Sequence, residues 1–113
     1  MHEMSLAENV LQIIEESACA QNFRRVRGVV LEIGQLSAVE PDAMRFCFDV
    51  VMRGTLAEGA VLQIIETPGA GRCLACGATV VMQEQYGLCP SCGSPRLEIT
   101  AGNQMRVKDL AVE

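Results

Sequence analysis

A chain of 113 residues can hold one ordinary domain, or a small domain plus a metal-held module too small to bury a core alone. Half of its residues are apolar and a fifth charged, which excludes disorder as its general state. Nine basic against fourteen acidic side chains leave a formal charge of −5, which argues against a phosphate backbone as the main partner.

No apolar run reaches the roughly eighteen residues of a membrane span, and no basic region followed by an apolar stretch and cleavage site opens the chain. The expectation is a soluble, cytoplasmic protein. Without an export signal, the six cysteines favour metal over disulfides. Arg24, Arg25 and Arg27 form the one basic cluster and read as a solvated turn.

Ser5-Leu6-Ala7-Glu8 has the form of a capping box, so a helix is predicted over about 5–21, with Met1 to Met4 as a short free lead. Leu6, Val10, Ile13, Ile14 and Ser17 draw its buried stripe, with Glu8, Gln12, Glu15 and Glu16 largely off it. Residues 26–33 alternate as a strand, with Val29, Leu31 and Ile33 on one face. Glu40-Pro41-Asp42 opens a second helix, because proline at the first helical position loses no hydrogen bond. Ala43, Met44, Phe46, Cys47, Val50 and Val51 are its predicted buried side, and Arg53-Gly54 its stop. Cys19 and Cys47 read as buried small hydrophobes.

Residues 61–66 form a second strand. Thr67-Pro68-Gly69-Ala70-Gly71 reads as a turn or hinge, with a new unit from Arg72. Inside that unit, 79–82, 86–88 and 97–100 read as short strands. Gln104 to Val112 has no partner in so small a unit and is expected to cross back to the first sheet. The predicted fold is α+β: two helices on a small three-stranded sheet, with an inserted four-cysteine zinc-ribbon-like module. The expected bounds are 1–67 and 103–113 for the first domain and 68–102 for the second.

Cys73-x-x-Cys76-Gly77 and Cys89-x-x-Cys92-Gly93, with twelve residues between the pairs, have the spacing of two knuckles that point four thiolates at one ion. Zinc is the first candidate and iron in a rubredoxin-like site the chemical rival. Four protein ligands close the shell, so the site holds shape and does no chemistry. Each pair read alone is a redox dithiol, which would make the protein a thiol oxidoreductase.

A second metal signal lies at Met1-His2-Glu3. The terminal amine, the His2 amide and the imidazole can close adjacent chelate rings, and Glu3 adds a carboxylate; such nitrogen-rich, tetragonal surroundings suit Ni(II) or Cu(II). The bland alternative is an exposed histidine near a frayed terminus. Glu40 and Asp42 either supply a further ligand or simply complement a helix dipole. No second histidine, phosphate-binding glycine loop or nucleophile beside a base is present, so enzymatic turnover is not expected.

Met1-His2-Glu3 before an amphipathic helix, Gly34-Gln35-Leu36-Ser37, the paired knuckles and Gly102-Asn103-Gln104-Met105-Arg106 together resemble the HypA/HybF family of hydrogenase maturation nickel chaperones. The resemblance spans the chain. It implies a cytoplasmic metallochaperone that binds Ni(II) at its N-terminus and helps deliver it to the [NiFe]-hydrogenase large subunit precursor. It further implies the nickel GTPase HypB as partner, and homodimers. By position, His2 and Glu3 fall on the nickel motif, Cys73, Cys76, Cys89 and Cys92 on the zinc motif, and Glu40 where some relatives carry an acidic ligand. The alternative function is a zinc-ribbon interaction or nucleic-acid-binding module, which Arg72, Arg96 and Tyr86 against Glu84 and Glu98 support poorly.

Overall fold

The computed structural model describes residues 3–113. Eight elements follow in order: α1 (Glu3–Gln21), β1 (Val26–Gly34), α2 (Pro41–Met52), β2 (Val61–Thr67), β3 (Gly69–Cys73), β4 (Thr79–Met82), β5 (Leu97–Ala101) and β6 (Met105–Val112). They form two three-stranded sheets, ordered β2-β1-β6 and β4-β3-β5. β1 and β2 run parallel, joined through α2, as a parallel pair requires a crossover. β6 returns after the second sheet and pairs antiparallel with β1, setting Ile33 opposite Met105 and Val29 opposite Leu110. The predicted return of the last segment is therefore observed.

The first core forms where period-2 and period-3.6 apolar patterns meet. Val29, Leu31 and Ile33 of β1 are buried beneath Ala7, Val10 and Ile14 of α1 and Met44, Phe48 and Met52 of α2. Asn22 ends α1 in the left-handed conformation asparagine tolerates, φ 59°, its amide bonded to the Ala18 carbonyl at 2.8 Å.

Several expectations are corrected. α1 includes Glu3 and Met4, so these residues are not a free lead, and Ser5 is helical rather than capping; acidic Glu3 in the first turn favours the earlier start by complementing the helix dipole. Phe46 is 68% exposed, because it lies two residues from buried Met44 and hence on the opposite side of α2. Cys19 is exposed, lying off the line that Ala7, Val10 and Ile14 extend. Residues 86–88 form no strand. Thr67 to Gly71 is not a hinge, since Gly69 already begins β3. Its glycines serve close approach instead: a Cβ on Gly69 would strike Leu36 and the Met82 carbonyl, and one on Gly71 would strike the Met82 sulfur.

The joint between the sheets is built by the turn after β1. The amides of Gly34, Gln35 and Leu36 donate to the carbonyls of Gln104 (2.9 Å), Thr67 (2.9 Å) and Gly102 (2.7 Å), which are the two segments that cross between the sheets. Gly102, at φ 80°, abuts both Gly34 and Gly69 so closely that no side chain fits. Leu36, 2% exposed, then enters the second core with Cys73, Val80, Met82 and Cys89, and its carbonyl accepts from Gln85 Nε2 at 2.9 Å. Leu36→Ala is expected to destabilise the chain by about 2–5 kcal/mol, the range for a buried leucine that leaves a cavity. Chemical denaturation checks this; a loss under ~1 kcal/mol would mean that Leu36 is not structural in that core.

Candidate metal centre

The two knuckles are near copies. In each, the glycine after the second cysteine sits at φ 76° and its amide donates to the first cysteine's carbonyl at 2.8 Å: Gly77 to Cys73, Gly93 to Cys89. The left-handed residue lets the chain turn back, and the Cys73 amide then donates to Ala78 (2.9 Å) and the Cys89 amide to Ser94 (2.8 Å). β3 delivers Cys73 from the second sheet, and the Leu74 amide bonded to the Arg96 carbonyl at 2.8 Å ties the two knuckles together.

All four sulfurs lie within 4.8 Å of one another. Two pairs between the knuckles are in contact, Cys73 to Cys92 at 3.6 Å and Cys76 to Cys89 at 3.7 Å. A tetrahedral ion with metal–sulfur bonds of ~2.3 Å sets its sulfurs about 3.8 Å apart, so the donor set fits zinc. Cys73 and Cys89 are buried and Cys76 and Cys92 exposed, so the site has a sealed side and an open rim.

Charge is distributed unequally over the sulfurs. The Cys76 backbone amide, 3.4 Å from Cys73 Sγ, lowers the Cys73 thiol to about 6 against some opposition from burial, with the Ala75 amide and Cys92 thiol helping. Cys89 is lowered in the same manner, first by the Cys92 amide. At Cys92 the Ser94 amide also pulls downward, but Cys73, burial, Cys76 and Cys89 together push the thiol up to about 12. Cys76 is likewise raised, the Ala78 amide being outweighed by Cys73, burial and Cys89. The metal-free site at neutral pH thus keeps Cys76 and Cys92 protonated.

Since only thiolates bind the metal, loading must expel those protons, and raising the pH strengthens binding by removing the competitor. Zinc uptake at pH 7.5 is expected to release roughly two to three protons per chain, making affinity rise roughly 100- to 1,000-fold per pH unit. Below about pH 6 Cys73 also protonates and the dependence steepens. Calorimetry in buffers of different ionisation enthalpy measures the release; a value near zero would contradict this charge distribution.

The other candidate residues lie at the first turns of the two helices. Glu3 Oε2 accepts from the Glu40 amide at 3.2 Å, while Glu40 Oε2 caps α2 by accepting from the Ala43 amide at 2.7 Å. Glu3 and Glu40, 37 residues apart in sequence, are therefore brought together. His2 lies outside the described residues. Two contributions escaped the sequence reading: the packing role of Leu36, which entered only within the Gly34 to Ser37 motif, and the Glu40 amide, which carries no sequence signal.

Comparison with known proteins matches residues 1–112 to the family model described as hydrogenase/urease nickel incorporation metallochaperone HypA. The chain belongs to the HypA family. The hydrogenase maturation factor HypA of Azotobacter chroococcum is 56% identical over 113 residues, all of both chains. That of Albidiferax ferrireducens is 57% identical, again over all of both. The solution structure of the Ni metallochaperone HypA from Helicobacter pylori matches at a TM-score of 0.75 and 28% identity, covering 99% of this chain and 97% of that one. HypA is a metallochaperone family acting in nickel incorporation during hydrogenase maturation, not an enzyme family, and this member carries a four-cysteine metal-binding cluster. Among the described residues, no helix is long and apolar enough to cross a membrane.

Proposed function

We propose that this HypA-family protein carries Ni(II) through Met1, His2 and Glu3, while Cys73, Cys76, Cys89 and Cys92 hold a structural zinc ion. The delivery target is the [NiFe]-hydrogenase large subunit precursor, with the GTPase HypB as working partner, in the cytoplasm. The chain divides into a nickel-binding domain, 1–67 with 103–113, and a zinc-binding domain, 68–102.

The observation that carries this reading is the family match of residues 1–112, joined to the contrast between the two sets of donors. Four thiolates saturate an ion, and a saturated ion stays. Two or three donors at the start of a chain leave coordination positions open, so their ion can pass to another protein.

The junction of the helices adds an electrostatic reason for release. A cation held through Glu3 stands at the positive end of the α1 dipole and close to that of α2, each opposing it by about 0.3–1 kcal/mol. The carboxylates of Glu3, Glu40 and Asp42 offset that repulsion. The result is capture without permanent retention. If Glu40 turned to nickel as a further ligand, α2 would forgo part of its cap, a cost of about 1 kcal/mol.

Metal analysis of the native chain before and after nickel loading tests the proposal. The expected result is about one zinc per chain that survives chelator and about one nickel that does not. Nickel occupancy should fall from pH 8 to pH 6, because the amine and imidazole take up protons near ~8 and ~6.5. Nickel that displaces zinc instead of adding to it would overturn the assignment of two sites.

A further inference from the structure

Each of the two sheets has two edges, and three of the four are guarded. Arg45 Nη1 donates to the Leu62 carbonyl and so covers part of β2. β6 carries Arg106, Lys108 and Asp109 and shifts register twice against β1. β5 carries Glu98 and shifts register against β3. Charges, bulges and covering side chains are the devices by which sheet edges avoid unwanted pairing.

β4 has none of these three, and only its four-residue length limits it. Thr79-Val80-Val81-Met82 is uncharged, pairs with β3 in unbroken register, and among the described residues receives no backbone hydrogen bond from any other segment. The surface around it is apolar: Val81 is 76% exposed, Leu88 66% and Tyr86 86%. A concavity of about 270 Å³ with a mixed polar and apolar lining touches Val81, Met82, Tyr86 and Leu88 and extends to Leu97 of β5, with Glu84 its one charged residue.

We propose that the open edge of β4 receives an extended segment of a partner protein, which adds a strand to the second sheet. The unpaired amides and carbonyls of β4 supply the ladder, and exposed Val81 offers an apolar side chain for the added strand to pack against. The occupant carries a basic residue, because the segment running past Met82 meets Glu84 and no compensating cation lines the concavity. An acidic segment is disfavoured by the same charge. The site lies on the second sheet, whose β3 also delivers Cys73.

The test uses the full zinc-loaded chain and three labelled peptides: alternating valine and threonine ending in two lysines, the same ending in two glutamates, and the lysine peptide with alternate backbone amides methylated. The lysine peptide should bind at least ten-fold more tightly than the glutamate one and shift backbone amide resonances in β4, and methylation should abolish binding. Val81→Lys should weaken binding ten-fold or more with zinc content and melting unchanged, since Val81 is exposed. Glu84→Lys should reverse the preference between the two unmethylated peptides. No binding of the lysine peptide at millimolar concentration, equal binding of all three, or resonance shifts confined to other strands would overturn the proposal. So would a peptide-free dimer that Val81→Lys dissociates, which would assign the edge to a second copy.

Discussion

Cys89→Ala is expected to release zinc and unfold the second sheet while the first lobe stays folded. Cys89 is 2% exposed, with its sulfur 3.7 Å from that of Cys76, so no nearby group can take its place in the shell. Three thiolates leave a position to water, and affinity should fall by more than the ~10–100-fold typical of losing a mere outer partner of a ligand. Among the described residues the buried part of the second core is Leu36, Cys73, Val80, Met82 and Cys89, with Ala78, Leu97 and Ile99 packed against it, and two of these are proposed ligands. So small a cluster depends on metal, because the binding free energy of a structural zinc, about 10–16 kcal/mol in finger peptides, is also its folding free energy. The first core has its own buried residues from α1, α2 and β1 and shares none of these. Hydrogen exchange should therefore show protection lost in β3, β4 and β5 and kept in β1. Zinc retained at one equivalent through a chelator wash, with β3 still protected, would refute the ligand set. Cys19→Ala is the control, being exposed and outside the cluster.

His2→Ala should have the complementary effect, losing stoichiometric nickel while zinc content and stability hold. His2 is the one imidazole in the chain, so no other side chain can substitute for it. The change removes the proposed nitrogen donor and its chelate ring and leaves the four cysteines untouched. Stability should move by no more than about 0.5 kcal/mol, well below the ~1 kcal/mol centre of measured single-substitution effects. Nickel retained at the wild-type level after dialysis would show that the cargo is held elsewhere. The two variants dissociate the sites: each should remove one metal and leave the other.

The most legible part of the chain was its periodic part. Val29, Leu31 and Ile33 announced a half-buried strand, and Glu40-Pro41-Asp42 announced a helix start that the structure places one residue after a glutamate cap. Spacing alone grouped the four cysteines, because a two-residue gap followed by glycine is a local geometry. Local rules failed where a long-range contact decided the outcome. Ser5 had capping chemistry, yet it lies inside α1, Glu3–Gln21, whose first turn meets the Glu40 amide through Glu3. Gly69 and Gly71 had turn chemistry, yet they lie in β3, because Leu36 and Met82 pack where side chains would otherwise stand.

By itself the sequence determined the four-thiolate cluster, the amphipathic elements and the return of the last segment, since each follows from local stereochemistry or from an apolar strand's need for a partner. Only the tertiary structure decided that the joint between the lobes is a leucine from the first seated in the core of the second. It alone brought Glu3 to the Glu40 amide and left β4 as the unguarded edge. These outcomes depend on contacts between residues tens of positions apart, and no spacing along the chain encodes which distant atoms will meet.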